Sequence, residues 1–384
     1  MSKILFKNAK IVTDKEIIES NLLVNEDIIE KIEKDIKEEE SYEIIDVNGN
    51  YLIPAFVDVH IHGASGHDFM DSTDTAVKEI SKFLCTKGTS NFLSTTLSSK
   101  KSTLIENLKI MSKLQNEDIG GATLVGVHME GPYFDVEYKG AQNDKYIVES
   151  SIKDIDEFLS VKEDLIKIFS ISPHSYVNRE AIKYLTSKGI ITSVGHSNAT
   201  YEEVEEAIAL GLSHSTHTYN GMRGFTHREP GVVGAVFNND SVYAEVIFDN
   251  VHVHKEAVRI LIKIKGVEKV ICITDSMAAT GLQDGKYKLG ELDINVADGQ
   301  ARLESNGALA GSVLTLDKAF KNLINLGYSI VDAVKMTSTN AATELKLNTG
   351  KISEGRYADI VIMNKDYEVI STYVKGKLKY KKSI

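Results

Sequence analysis

Cysteine is scarce, long apolar runs are missing, and no basic block appears before the last few residues; each shortage excludes a class of function. The two cysteines, Cys85 and Cys272, lie in apolar segments without CxxC spacing. A disulfide framework is therefore not indicated, and buried free thiols in a reducing compartment are expected. No apolar run approaches 18 residues, and the row Ile4, Leu5 and Phe6 is too short for the apolar region of a signal peptide. We expect a cytoplasmic protein with no membrane association. The formal net charge is -11 over 384 residues. Without a Lys/Arg cluster, that charge speaks for solubility and against a nucleic-acid footprint.

What is present is ordinary in bulk and unusual in arrangement. Apolar residues make up 42% and charged ones 26%, enough for a sizeable core. The length suits two or so domains, or one large barrel with an appendage. Residues 51–71 hold the sharpest pattern. Leu52, Ile53, Phe56, Val57 and Val59 form an apolar run of the kind that builds a strand buried on both faces, and His60 and His62 follow at its end. Alternate side chains on a strand share a face, so the two imidazoles can bind one metal together, and Gly63 lets the chain turn away. The end of a strand is where a β/α barrel keeps its chemistry.

The rest of the chain supplies such a barrel. Seven further apolar stretches read as strands, GTSNFLSTTL, ATLVGVHMEGP, IKIFSISPH, GIITSVGHS, LSHSTHTYN, VYAEVIF and EKVICITDS, and helical patterns lie between them. One helix is expected over residues 73–86 and another over 200–210, the latter with a Thr200/Glu203 capping box and Gly211 as its stop. Eight strands alternating with helices predict a (β/α)8 barrel. Residues 286–310 read as hairpins, and two last helices are expected over 315–326 and 330–338. Both ends of the chain are strand-rich, with an Asn48-Gly49 turn in one and a Lys375-Gly376 turn in the other. We expect the ends, residues 1–53 and 350–384, to form one small β-sandwich domain beside a barrel of residues 54–349.

Polar residues fall at the strand ends: His60 and His62 on the first, Glu130 on the third, His196 on the fifth, His217 on the sixth and Asp275 on the eighth. A barrel brings these positions into one pocket. Imidazole and carboxylate without thiolate suit zinc or iron(II), with manganese or cobalt as further options. Asp275 is the candidate base, and a divalent ion that makes hydroxide available near neutral pH points to hydrolysis.

The motifs HxHG with GHDFMD, HMEGPY, VGHSNAT, HTYNGMRGFTHREPG, ITDSMAATGLQDGKY, LAGSVLTLDKA and GRYADIVIMN occur in order from about Pro54 to Asn364. Together they resemble the N-acetylglucosamine-6-phosphate deacetylases of the amidohydrolase superfamily. The resemblance implies a metal on Glu130, His196 and His217, and a second ion on His60 and His62 in members that keep the HxH. It implies that hydroxide supplied at the metal attacks the acetamide, with Asp275 as base and then as acid toward the leaving amine. Asn220, Gly221, Arg228 and His252 would contact the sugar phosphate, with Arg228 donated across a homodimer interface. Gln142 stands where many members have a histidine that polarises the acetyl carbonyl. Gly221 replaces a common alanine and Asn250 a common glycine; asparagine tolerates positive φ, so little harm is expected there. His128 shares a face with Glu130 and is a candidate to support it, while His67, His174, His214, His227 and His254 receive no role.

Three rival readings follow from the same residues. The C4 epimer, N-acetylgalactosamine 6-phosphate, would be hydrolysed by the same chemistry. A cyclic-amide hydrolase of the superfamily would usually need a bridging lysine at the end of the fourth strand, where this chain has Ser170, Ile171 and Ser172. A catalytically silent scaffold would be expected to have lost ligands that this chain retains.

Overall fold

The computed structural model describes residues 3–383. Met1, Ser2 and Ile384, which fall within the expected domain bounds, lie outside them. Eight strands form one parallel sheet in chain order: Phe56–Ile61, Thr89–Thr95, Thr123–Glu130, Ile166–Ile171, Ile191–Val194, His214–Ser215, Tyr243–Ile247 and Val270–Ile273. We call them the first to the eighth barrel strand. The sheet closes where the eighth meets the first, through bonds from Asp275 N to His60 O at 2.8 Å and from His62 N to Ser276 O at 2.9 Å. Every residue of the first three strands is buried, polar ones such as Asp58, Asn91 and His128 included, so they show no alternation of apolar and polar residues.

Helices cover the barrel as the sequence predicts. Asp74–Thr86 starts at a Thr73 cap, and Tyr201–Ala209 starts at the Thr200/Glu203 capping box. The last helical region runs beyond the expected 338. Ile330–Val334 passes into a wide turn over Lys335–Thr339 and continues as Asn340–Glu344. Thr337 Oγ1 bonds the Ala333 carbonyl, and Ser338 Oγ bonds the carbonyl of Ala55 at the barrel floor. These hydroxyls keep the polar stretch satisfied inside the fold, so the helix goes on where composition suggests a stop.

The chain ends meet in a second eight-stranded sheet. Strand Tyr51–Pro54 runs antiparallel to Ile360–Met363, which joins the first fifty residues to the last twenty-five. The sheet bends until Ile28 bridges to Tyr357, and Phe6, Leu22, Leu52, Ile360 and Tyr373 share the enclosed core. Asn48 and Gly49 do turn, at φ 54 and 71°, but not into a hairpin. Glu43–Asp46 and Tyr51–Pro54 both pair parallel to Ile4–Val12, so the turn is a kink between two segments of one edge. The Lys375-Gly376 turn does close a hairpin, between Val369–Val374 and Lys377–Lys381. Residues 286–310 give three antiparallel strands, Gly285–Leu289, Leu292–Ala297 and Gln300–Leu303, whose first turn reaches over the barrel mouth.

Candidate metal centre and substrate cleft

Each candidate ligand sits on or just past the C-terminal end of a barrel strand, and the fold brings all six together. Glu130 Oε1 lies 3.1 Å from His196 Nε2 and 3.2 Å from His217 Nε2. The two Nε2 atoms are 3.2 Å apart. His62 Nε2 is 3.1 Å and His60 Nε2 3.6 Å from Asp275 Oδ1. Glu130 spans both groups, since its Oε2 stands 3.4 Å from His62 Nε2. His196, His217 and Asp275 adopt φ of 46, 30 and 48°. Such left-handed backbone at non-glycine residues costs roughly 1–3 kcal/mol each and persists where surrounding bonds enforce it. Here they do: His217 N donates to Glu245 Oε2 at 3.0 Å, and the Asp275 carbonyl accepts from Ser312 N at 2.7 Å.

The tautomers are set one by one. His60 Nδ1 pairs with Glu245 Oε2 at 3.0 Å, His62 Nδ1 with Thr95 O at 3.3 Å, His196 Nδ1 with Tyr138 O at 2.9 Å and His217 Nδ1 with Asn220 O at 3.1 Å. All four partners are acceptors, so each Nδ1 carries a proton and each Nε2 faces the centre, where it can give a lone pair to a cation once any second proton is displaced. His60 Nε2 is fully buried with no hydrogen-bond partner among the described residues. Ligands bonded at about 2.0–2.1 Å to a tetrahedral ion stand about 3.3 Å apart, close to the separations seen here. The donor set fits a divalent cation. Charge points the same way. Burial opposes charge on every group, yet the imidazoles, His60 foremost, hold the Glu130 carboxyl well below the usual carboxylate range. Against the same burial, Asp275 and Glu130 push His62 up to about 9, and Glu130 with Asp275 pushes His217 up to about 9. A cation would replace those protons.

His60, His128 and Glu245 bring ligand-type atoms together as well. Both ring nitrogens of His128 are engaged, by Val59 O at 2.9 Å and Ser170 Oγ at 2.7 Å, so His128 braces the strands and packs its ring against His60. Glu245 is the residue the strand-end reading overlooks. Its carboxylate also meets His214 Nε2 at 3.0 Å, and His214 Nδ1 meets Glu344 Oε1 at 2.9 Å. A chain of buried hydrogen bonds thus runs from His60 through Glu245 and His214 to the helix Asn340–Glu344. One signal was available: Glu245 is a lone carboxylate in the apolar run VYAEVIF, and a buried charge requires a partner.

A cavity of about 150 Å³ opens beside the ligands and is lined by Gln142, Asn220, Gly221 and His252 as well. Gln142 is committed on both sides, with Oε1 accepting from Ser98 N and Nε2 donating to Glu130 Oε2, each at 2.7 Å. One hydrogen of that NH2 remains for other use. Gly221 lies against His196: at its φ of 57° a Cβ would stand 2.9 Å from Nδ1, so the glycine spares the ligand that contact. His252 is held toward the cavity by Asp249, Nδ1 to Oδ2 at 2.7 Å, and His254, not His252, caps the helix Lys255–Lys265. Asn250 takes φ 64°, which asparagine accommodates. Arg228 is not in this cavity. It is exposed, in a separate depression with Tyr201, Arg223 and Glu229, and makes no ion pair with Glu229 among the described residues.

The sequence profile of the amidohydrolase family matches residues 51–379. The chain belongs to the amidohydrolase family. Within it, a protein of Lysinibacillus sphaericus named N-acetylglucosamine-6-phosphate deacetylase is 37% identical over 334 residues, 86% of each chain. An Escherichia coli O157:H7 protein named N-acetylgalactosamine-6-phosphate deacetylase is 32% identical over 330 residues, 85% of this chain and 87% of that one. A Mycobacterium smegmatis N-acetyl-D-glucosamine-6-phosphate deacetylase variant, solved in complex with N-acetyl-D-glucosamine 6-phosphate, superposes on this amidohydrolase with a TM-score of 0.93. It is 26% identical and covers 99% of this chain and 100% of its own. Among the described residues no helix is long and apolar enough to cross a membrane.

Proposed function

We propose that the protein hydrolyses the acetamide of N-acetyl-D-glucosamine 6-phosphate to D-glucosamine 6-phosphate and acetate, in amino-sugar catabolism. The observation that carries this reading is the set of four histidines, each with Nδ1 tied and Nε2 turned onto Glu130 and Asp275, in a chain whose relatives bear that activity in their names. Glu130, His196 and His217 would hold one divalent ion, zinc or iron(II), and His60, His62 and Asp275 a second. When bound, such an ion supplies a Lewis acid and a water that loses its proton near neutral pH. The remaining work falls to side chains. Asp275 is kept ionised by His60 and His62 against the cost of burial, so it accepts the proton of the attacking water. It then returns that proton to the nitrogen as the C–N bond breaks. Gln142 fixes Glu130 and offers its second amide hydrogen to the acyl oxygen. Asn220 and the Gly221 backbone position the sugar. His252 meets the phosphate, and Arg228 of a second copy completes the cationic site, which makes the working unit a homodimer. The two unpaired buried thiols suit a reducing compartment and support a cytoplasmic location.

Acetate release from the gluco and galacto substrates side by side, with metal counted per subunit in the same sample, tests this. Preference for the gluco substrate and about two ions is the expected result. Preference for the galacto substrate would keep the mechanism and move the pathway, in line with the E. coli relative. No release from either, with metal bound, would overturn the reading.

A further inference from the structure

The cavity at the metal centre has one apolar side. Leu97, Ala141, Leu289 and Leu309 make it, whereas the rest of the lining is imidazole, carboxylate, amide and glycine. An N-acetylhexosamine phosphate is polar all round except for its ring carbons and one end group, the acyl methyl. With the acyl carbon directed at Glu130 and Asp275, and its oxygen at Gln142, the methyl has the neighbouring wall to meet, because Ala141 directly precedes Gln142.

Behind that wall lies a second cavity of about 210 Å³, and Leu97, Ala141 and Leu289 line both. Met70 and Leu292 add to its apolar lining, and most of the rest is polar, with Asp71, Thr103, Tyr146 and Glu291 among it. The partition is held firmly. Leu97 and Leu289 are 7% and 1% exposed and pack into one core with Met277, Ala279 and Ile294. Leu97 also abuts the hairpin turn, where a Cβ on Gly290 would stand 3.0 Å from its Cδ1. That turn is pinned from two directions. Gly290 N donates to Asp68 Oδ2 at 3.0 Å, and Glu291 accepts from Asn143 Nδ2 at 3.2 Å and from the Tyr146 hydroxyl at 3.3 Å. A wall fixed at this many points does not yield to a longer acyl group.

We propose that Leu97, Ala141 and Leu289 set the acyl-chain length the enzyme accepts, and that the cavity behind them is a latent pocket for longer acyl chains. The inference rests on the function proposed above. In the reaction, water oxygen bonds to the acyl carbon, the C–N bond breaks and the nitrogen leaves as an amine, so a propionyl or butyryl group would depart as propionate or butyrate by the same steps.

The test is kcat/KM for the N-formyl, N-acetyl, N-propionyl and N-butyryl forms of glucosamine 6-phosphate, on the wild type and on Leu97→Ala and Ala141→Val. The wild type should lose roughly tenfold to a hundredfold from acetyl to propionyl, the range one methylene commands in a fitted pocket. Leu97→Ala should raise the propionyl-to-acetyl ratio by about tenfold or more. Ala141→Val should lower the acetyl-to-formyl ratio by a similar factor. Because each readout is a ratio within one preparation, partial misfolding or incomplete metal loading cancels. Unchanged ratios in both variants, with acetyl turnover present, would overturn the inference and leave the function standing. No turnover of the acetyl substrate by the wild type would instead strike the function itself.

Discussion

Glu245 controls the direction in which His60 presents its lone pair. The carboxylate accepts from Nδ1, and because Glu245 is fully buried no water can substitute for it. Partners of this kind fix the ring and raise its basicity, and losing one typically costs about 10–100-fold in metal affinity. Glu245→Gln keeps the size but removes the charge that holds His60 and His214 together. We expect a metal count that falls toward one ion per chain, with the larger loss on the His60/His62 side, because an amide oxygen in the same place can still accept from His217 N and leave the Glu130, His196 and His217 group nearly intact. Titration of the apo-protein with zinc by calorimetry would report this as one weakened site and one intact. Equal weakening of both would mean that Glu245 acts on the barrel as a whole. That the six candidate ligands converge was legible because each stands at a strand end, where periodicity already locates it. Glu245 was harder to find: it lies within a strand, and its partners are 28, 31 and 185 residues away in the chain, so spacing could not join them.

The sixth barrel strand is two residues long and cannot be held by its ladder alone. His214 ties it to the helix Asn340–Glu344 through Glu344 and to the seventh strand through Glu245. Burial disfavours the imidazolium, but Glu344 and Glu245 outweigh it and push His214 up to about 10. The folded pKa is thus above the unfolded one of about 6.5, so the folded state binds the proton more tightly. The resulting stability is fully present below about pH 6.5 and is lost as pH rises through about 10. Glu344→Gln removes one partner of a buried pair and should cost roughly 2–4 kcal/mol at pH 7. The variant should also lose less stability than the wild type between pH 7 and 10. Denaturant unfolding at both pH values decides it, and an identical alkaline decline in the two proteins would sink the assignment. At this scale the elements were largely legible. The eight strands and the capped helices follow from apolar runs, cap residues and glycine stops. The Asn48-Gly49 turn was read for what it is locally, but whether a turn reverses the chain depends on which strand pairs with which, and Ile4–Val12 decides that by accepting both segments in parallel. The last helix outran its expected end because Ser338 and Thr339 bond the carbonyls of Ala55 and Gly350, which no local pattern reveals.

Across the whole molecule, the cleft of a single chain is short of positive charge for a phosphate dianion. His252 is the basic group beside Asn220 and Gly221, and it is already paired with Asp249. The protein carries a net charge of -11, and its field beyond about 8 Å is screened at physiological salt, so a cation must be placed locally. Arg228 sits on the surface outside the cavity, in the same loop as Phe225, a large apolar side chain left 59% exposed. A second copy covering this loop would bury Phe225 and deliver Arg228 to a neighbouring cleft, an arrangement that symmetric dimers permit. Arg228→Ala should then raise KM by roughly tenfold or more, with kcat little changed, the pattern of a lost ground-state contact. Asp275→Asn should lower kcat by about 10²–10⁴-fold. The decisive experiment combines them. If the proposed dimer forms, the two variants co-expressed would give mixed dimers in which the Asp275→Asn subunit lends its Arg228 to the cleft of the Arg228→Ala subunit, whose Asp275 is intact. Turnover at low substrate should exceed the sum of the two variants alone, approaching a quarter of wild type where subunits pair at random. If Arg228 served its own subunit, each mixed dimer would hold two damaged sites and the activities would only add.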